Sequence, residues 1–254
     1  MTANERRDAI ATALHERPVR VDALANRFGV SLSTIRRDLE SLAEVGKVVR
    51  TYGGAQTVVR GEQSLLERSS IATKQKSAIG RLAATFVPPG SLNTLDAGTT
   101  VGALASRLVN RAGITVVTNG LTTMNLLEHG DGVDLIVIGG NFRHVSSGLV
   151  GPIAEAAMSG LFADAAFLGA DGVVAGRGLS EGTPAQASLK RLMVENARTV
   201  YVLADASKLG LDTSNWWTRL ERPWHLITDD RATEQQLEPF QSLGTVEVHV
   251  AAID

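Results

Sequence analysis

Cysteine is absent from the 254 residues, which removes disulfides and every thiolate metal site at once. Histidine is scarce: His15, His129, His144, His225 and His249 are scattered, and no two stand at metal-ligand spacing, so a metal is not expected. No apolar run approaches the ~18 residues that a membrane-spanning helix needs, and the first residues are polar and charged. A cytoplasmic protein with no membrane partner is the expectation. Two phosphate-binding signatures are also missing, G-x-G-x-x-G and G-x-x-x-x-G-K-[ST]. Their absence argues against dinucleotide and nucleoside-triphosphate chemistry, and no cofactor is expected.

What is present is unevenly charged. Residues 1–60 hold ten Lys and Arg against seven Asp and Glu, whereas the remainder holds fifteen against twenty. A basic head on an acidic body follows, a weak pointer by itself. Hydrophobic residues make up 44% of the chain, ample for a packed core.

The head reads as three short helices. The first runs from Asn4 to His15 with Ile10, Ala13 and Leu14 on one side, and Pro18 ends it. Asp22 is placed to cap the second, in which Leu24, Ala25 and Phe28 face inward and Gly29 stops the chain. Ser31 is placed to cap the third, whose buried stripe is Ile35, Leu39 and Leu42. Ser33, Arg37, Glu40 and Glu44 lie opposite that stripe, with Thr34 and Arg36 on its flanks, and Gly46 ends the helix. Two short helices joined by a tight turn, with cations early in the second, have the layout of a helix-turn-helix. The next stretch, KVVRTYGGA, alternates and ends in a Gly-Gly turn, which fits a small β-wing carrying Lys47, Arg50 and Tyr52 outward. A three-helix bundle with a solvated basic face shares the same pattern.

A resemblance separates these two readings. The stretch VDALANRFGVSLSTIRRDLESLAEVGKVVRTYGGA resembles the winged helix-turn-helix of the DeoR family of bacterial transcription regulators. Val30, Ser31, Thr34, Ile35, Arg36, Arg37, Asp38, Leu39, Leu42 and Gly46 stand where the family's V-S-x-x-T-I-R-R-D-L-x-x-L and its glycine stand. Tyr52 replaces the usual histidine, and its hydroxyl still donates to a phosphate. The resemblance implies double-stranded operator DNA as partner, held by Ser31, Ser33, Thr34, Arg36, Arg37, Lys47, Arg50 and Tyr52.

Beyond the head, residues 58–75 read as a polar linker with some helical character, and 76–254 as a body. Thr73–Phe86 has helical spacing, stopped by Pro88-Pro89-Gly90. Then apolar runs (LNTLD, ITVVT, VDLIVIGG, AAFLGA, TVYVLAD, HLITDD, VEVHVA) alternate with amphipathic helices. That alternation predicts an α/β fold with a mostly parallel, Rossmann-like sheet covered on both faces. Polar residues cluster after the strands: Asp96 to Thr100, Thr118 to Gly120, Gly139 to Arg143, Gly169 to Gly172, Asp205 to Lys208. Such loops share one sheet edge, where ligands sit. Gly98-Thr99-Thr100 opens a helix and makes an anion nest; Arg143 and Lys208 supply positive charge; Asp96, Asp171 and Asn119 suit hydroxyl groups. A phosphorylated sugar or polyol matches both halves, although Gly and Asx residues also serve plain βα turns.

The body, from about Lys76 to Asp230, resembles the DeoR effector domain in LDAGTT, TVVTNG, IGGNFR, GLVGP, ADAAFLGADG, LADASK and LITDD. The resemblance implies a fold similar to ribose-5-phosphate isomerase and a sugar-phosphate effector. It nominates Lys76, Asp96, Gly98, Thr99, Thr100, Asn119, Gly140, Arg143, Asp171 and Lys208. Gln75-Lys76 stands where the family has Glu-Lys, so one carboxylate is lost. An isomerase-like enzyme is the alternative, but Gly172 occupies the position of that loop's second acid, and nothing in the sequence places Glu181 as a base. A binding sensor is therefore expected, acting as a repressor that its effector releases, at least a dimer (or a tetramer) because a lone wing-helix unit covers few base pairs. Trp216, Trp217 and Trp224 suit packing, or a ring stacked on the effector or on a neighbouring subunit.

Overall fold

The computed structural model describes residues 6, 7, 9, 10, 19–44, 48–51, 54–57, 64–212 and 214–253. The chain divides into two units, Met1–Glu62 and Gln63–Asp254.

In the first unit, α1 (Val21–Phe28) and α2 (Leu32–Glu44) bury Leu24, Ala25, Ile35, Leu39 and Leu42 against Ile10. Those are the stripe positions expected from spacing. Gly29 at φ +63° ends α1, and the Val30 N–H reaches back to the Ala25 carbonyl at 3.1 Å, closing a Schellman turn. Asp22 lies inside α1, since the helix begins at Val21. The wing is present as β2 (Val48–Thr51) and β3 (Gly54–Thr57), antiparallel, with Arg50 opposite Ala55. A third strand, β1 (Val19–Arg20), pairs with β3 and has no counterpart in the sequence reading.

One buried ion cluster locks this unit. Asp38 is 3% exposed and accepts from Arg6 Nε at 2.6 Å and from Arg7 Nε at 3.3 Å. The acid in the Arg-Arg-Asp run thus ties α2 to the N-terminal helical residues.

The second unit is built on a seven-stranded sheet in the order β15-β14-β12-β9-β4-β5-β6, every pairing parallel. Its strands are β4 (Leu92–Leu95), β5 (Ile114–Thr118), β6 (Val133–Val137), β9 (Ala163–Leu168), β12 (Ala197–Leu203), β14 (Trp224–Asp229) and β15 (Val246–Ala251). Helices α4 (Thr73–Ala84), α5 (Thr99–Leu108) and α6 (Leu121–Leu127) supply one core. The other core comes from α7 (Pro152–Ser159), α8 (Pro184–Glu195) and α9 (Glu234–Gln241). Two cores explain why the strands read as continuous apolar runs. Strand order runs outward from β4 through β5 to β6, then returns to β9 on β4's other side. The β4/β9 boundary is therefore the topological switch point, where ligands bind in such sheets.

The described part of the segment read as linker, from Ser64, is structured. Ser64 and Glu67 form a capping box that starts α3 (Leu65–Ser70), and the Leu65 N–H bonds the Val145 carbonyl at 2.8 Å. Two antiparallel additions were also not anticipated: the hairpin β7 (Asn141–Arg143) with β8 (Gly148–Val150), and the sheet β10 (Gly172–Val174), β11 (Gly178–Glu181) and β13 (Trp216–Thr218).

Close packing of α4 on α5 depends on Gly80. A Cβ there would stand 2.5 Å from the Ala103 carbonyl carbon, a contact with backbone that no side-chain rotation relieves. Gly80→Ala gains about 1 kcal/mol in helix propensity, but forcing the helices apart costs about 1–3 kcal/mol. The expected outcome is a net loss of up to about 2 kcal/mol, read as a fall of a few degrees in Tm.

Candidate effector site and DNA-reading helix

At the switch point the loops after β4 and β9 meet. Asp96 Oδ1 accepts from Ala97 N at 2.8 Å, and Oδ2 accepts from Gly169 N at 3.2 Å. Asn119 supplies a second acceptor for Ala97 N at 2.9 Å and donates through Nδ2 to the Leu149 carbonyl at 3.2 Å. The hydroxyl-binding role foreseen for Asp96 and Asn119 is thus partly taken up by backbone, which they hold in place. The next residue, Gly98, has φ +149°, with open space where a Cβ would stand. α5 starts there, and the Gly98 carbonyl receives the Gly102 N–H at 2.8 Å. The N–H groups of Thr99, Thr100 and Val101 have no acceptor within the helix. They join the helix dipole in favouring an anion.

The cavity in front of this helix end holds about 600 Å³ of space free of protein, including its mouth. Asp96, Gly98, Thr99, Thr100, Asn119, Asp171 and Lys208 line it, seven of the ten residues nominated from sequence. Lys76, Gly140 and Arg143 do not. Lys76 is turned toward backbone, donating to the Arg68 and Ile71 carbonyls, the latter at 2.7 Å. Gly140 has φ +151°, and a Cβ on it would lie 2.8 Å from the Val150 carbonyl oxygen, so the hairpin's close approach requires glycine there. Arg143 lies on β7; it is Gly148 and Val150 of the pairing strand that reach the lining.

Five polar residues in the lining were not singled out from sequence as ligand contacts: Arg68, Ser146, Glu181, Gln186 and Lys190. Arg68 comes from α3, within the segment read as linker, and its Nη1 is 3.1 Å from Asp171 Oδ1. Lys190 is 5% exposed and bridges Asp96 Oδ2 at 3.0 Å, Glu181 Oε1 at 2.5 Å and the Gly169 carbonyl at 2.6 Å. A signal for it existed. Lys190 shares the buried stripe of α8 with Leu189, Met193 and Val194, and a lysine there needs an acid to pair with.

Cationic and acidic side chains crowd this end of the sheet. Lys208 donates to the Ala170 carbonyl at 2.5 Å, and burial pulls its ammonium below the usual lysine value. Lys76 is lowered to about 8, first by burial and then by Lys208 and Arg68 nearby, with Asp205 opposing. Lys76, Lys208 and Arg68 repel one another, and Asp205 and Asp171 offset part of that repulsion. Glu181, 2% exposed, is pushed up to about 7 by burial, against the pull of Lys190. It carries a proton part of the time near neutral pH and so offers a donor as well as acceptors.

The tryptophans stay out of this cavity. Trp224 is buried and meets Phe240 edge-on at 6.2 Å; Trp217 lies under the Arg177 guanidinium at 4.0 Å; Trp216 is exposed.

On α2, Ser31 is the N-cap: its Oγ accepts the Thr34 N–H at 3.1 Å and lies 2.8 Å from Ser33 Oγ and 2.9 Å from Thr34 Oγ1. Ser33, Arg36 and Arg37 are exposed, and Thr34 is half-buried. Lys47 and Tyr52 lie outside the described residues.

The comparisons with known proteins agree at both ends of the chain. Residues 6–60 match the DeoR-like helix-turn-helix domain, and residues 71–230 match the DeoR C terminal sensor domain. Among its relatives, a putative aga operon transcriptional repressor of Escherichia coli O157:H7 is 32% identical over 246 residues, 95% of this chain and 91% of that protein. The HTH-type transcriptional repressor GlcR of Bacillus subtilis is 34% identical, covering 83% of this chain and 82% of its own. Among solved structures, ribose 5-phosphate isomerase A of Methanocaldococcus jannaschii overlaps 52% of each chain at 20% identity and a TM-score of 0.38, too partial to bear on activity. With both units matched and full-length relatives above 30% identity, the chain belongs to the DeoR family and is a DNA-binding transcriptional regulator rather than an enzyme.

Proposed function

We propose that the protein is a repressor of a carbohydrate-utilisation operon, released from its operator by a phosphorylated sugar or polyol. The observation that carries this reading is the convergence at the sheet's switch point of a free helix N-terminus with Arg68 and Lys208. The helix end and cations suit the phosphate, while Asp171, Glu181 and Thr99 suit the hydroxyls of the carbon chain. The named repressors among the relatives support the sign of regulation. Residues 1–57 act as the DNA-binding domain and 76–254 as effector and assembly domain, with at least a dimer matching a two-fold operator.

The test is a DNA mobility shift with a panel of sugar phosphates and the same sugars without phosphate. Release of DNA by a phosphorylated member, and by none of the free sugars, is the expected result. Release by a free sugar at equal concentration overturns the phosphate assignment.

The reading helix carries its own prediction. Arg37 is exposed and opposite the buried stripe, so it is assigned to a base edge, with Arg36 on phosphate. Arg37→Ala should weaken binding to the specific duplex by about 1–3 kcal/mol and relax preference at one base pair. The comparison is made on specific and scrambled duplexes at one salt concentration. An unchanged specificity ratio assigns base reading elsewhere.

A further inference from the structure

A second cluster of chemically able side chains sits far along the sheet from the switch point, on its β14–β15 edge. We propose that His225, Glu247 and His249 form a site for one divalent transition-metal ion of the zinc class, with a coordination position left open to solvent. Sequence spacing hides this set, since 22 residues separate His225 from Glu247. The sheet assembles it. His225 is the register partner of Glu247, and His249 lies two residues further along β15, so all three project from one face.

The spacing suits a tetrahedral ion. Ligand bonds of about 2.0–2.1 Å place neighbouring donors about 3.3 Å apart. His225 Nδ1 and His249 Nε2 are 3.1 Å apart. The Glu247 carboxylate straddles the pair, with Oε2 3.3 Å from His225 Nδ1 and Oε1 3.7 Å from His249 Nε2. Among the described residues this is the one group of three such donors converging on a point.

A proton between the two rings joins one pair of these groups at a time. A proton on either facing nitrogen can point at the other ring or at the carboxylate, not at both. Protons on both nitrogens repel, with the Glu247 carboxylate as their one offsetting charge among these three side chains. A cation between them meets all three lone-pair donors together.

The rings are also held in place. Tyr201 stacks on His225 with centroids 4.7 Å apart, and Phe86 packs on His249 at 4.6 Å. Fixed imidazoles lose less freedom on ligation. Glu247 stays largely exposed, which leaves the ion reachable. Two imidazoles and one carboxylate are a borderline donor set, suited to zinc and its first-row neighbours and not to magnesium or calcium.

The test is calorimetric titration of the full chain with zinc alone, in a buffer free of chelator and phosphate, alongside the visible spectrum with cobalt. One ion per chain and an intense tetrahedral-type cobalt band are expected. Glu247→Gln changes an exposed side chain and should preserve the fold. It should weaken zinc by more than the roughly tenfold that losing an outer-shell partner costs. His225→Gln with His249→Gln should abolish the site. No saturable zinc site in the wild type, or an unchanged stoichiometry and cobalt band in Glu247→Gln, overturns the proposal. If the double variant does not fold, the Glu247→Gln titration decides.

Discussion

Lys190→Ala should destabilise the protein by about 3–5 kcal/mol, the largest effect expected of any single change here. The lysine's three partners, Asp96, Glu181 and the Gly169 carbonyl, converge on one ammonium in a site where Asp96 is 5% and Glu181 2% exposed. Removing it leaves Asp96 and Glu181 buried side by side without a counter-charge, so one of them is left as an unpaired buried charge or must take up a proton. Urea denaturation of both proteins checks this, and the loss corresponds to roughly 10 °C in Tm for a unit of this size. A loss under about 1 kcal/mol means that the bridge is not formed in solution.

The same cluster sets a pH dependence whose sign follows from Glu181. Burial raises its carboxyl from 4.5 to about 7 in the folded protein. Between those values the folded chain holds a proton that the unfolded chain has released. Stability from this group is therefore greatest below pH 4.5, declines as pH rises through that window, and levels off above pH 7. Glu181→Gln keeps an acceptor for Lys190 and removes the titration, so it should flatten that part of the profile.

The second large effect concerns the effector. Lys208→Ala should leave DNA affinity without effector nearly unchanged and reduce effector affinity about ten- to a hundredfold. That range is what a charge-assisted phosphate bond of roughly 1.5–3 kcal/mol implies. Lys208 lines the cavity in front of the α5 N-terminus, and its partner there, the Ala170 carbonyl, is a neutral acceptor that a phosphate oxygen outcompetes. Linkage adds a further check. An effector that weakens DNA binding tenfold must bind the DNA-loaded protein tenfold more weakly, a coupling of about 1.4 kcal/mol. Effector titrations in the mobility shift measure both quantities. Release of DNA from Lys208→Ala at the wild-type effector concentration moves the phosphate elsewhere.

Much of this architecture was legible along the chain because its signals are local. Apolar spacing of three and four in α2, alternating strands and helices from Leu92 onward, and glycines at helix ends all report on neighbours a few residues away. The helix start at Gly98-Thr99-Thr100 was readable for the same reason: a glycine at positive φ directly precedes the helix.

What only the tertiary structure decided are the partnerships across long loops. Arg68 in α3 reaches Asp171, 103 residues away, turning a polar segment into part of the cavity wall. Lys190 finds Asp96 and Glu181 because α8 packs beside the ends of β4 and β11, and Arg6 and Arg7 find Asp38 across the head. Parallel pairing sets His225 beside Glu247 and His249. Sequence determined the main helices and the strands of the parallel sheet, since those depend on backbone preference and short-range periodicity. The fold determined which charges meet, because parallel strands joined by crossover helices place residues side by side that no spacing rule along the chain connects.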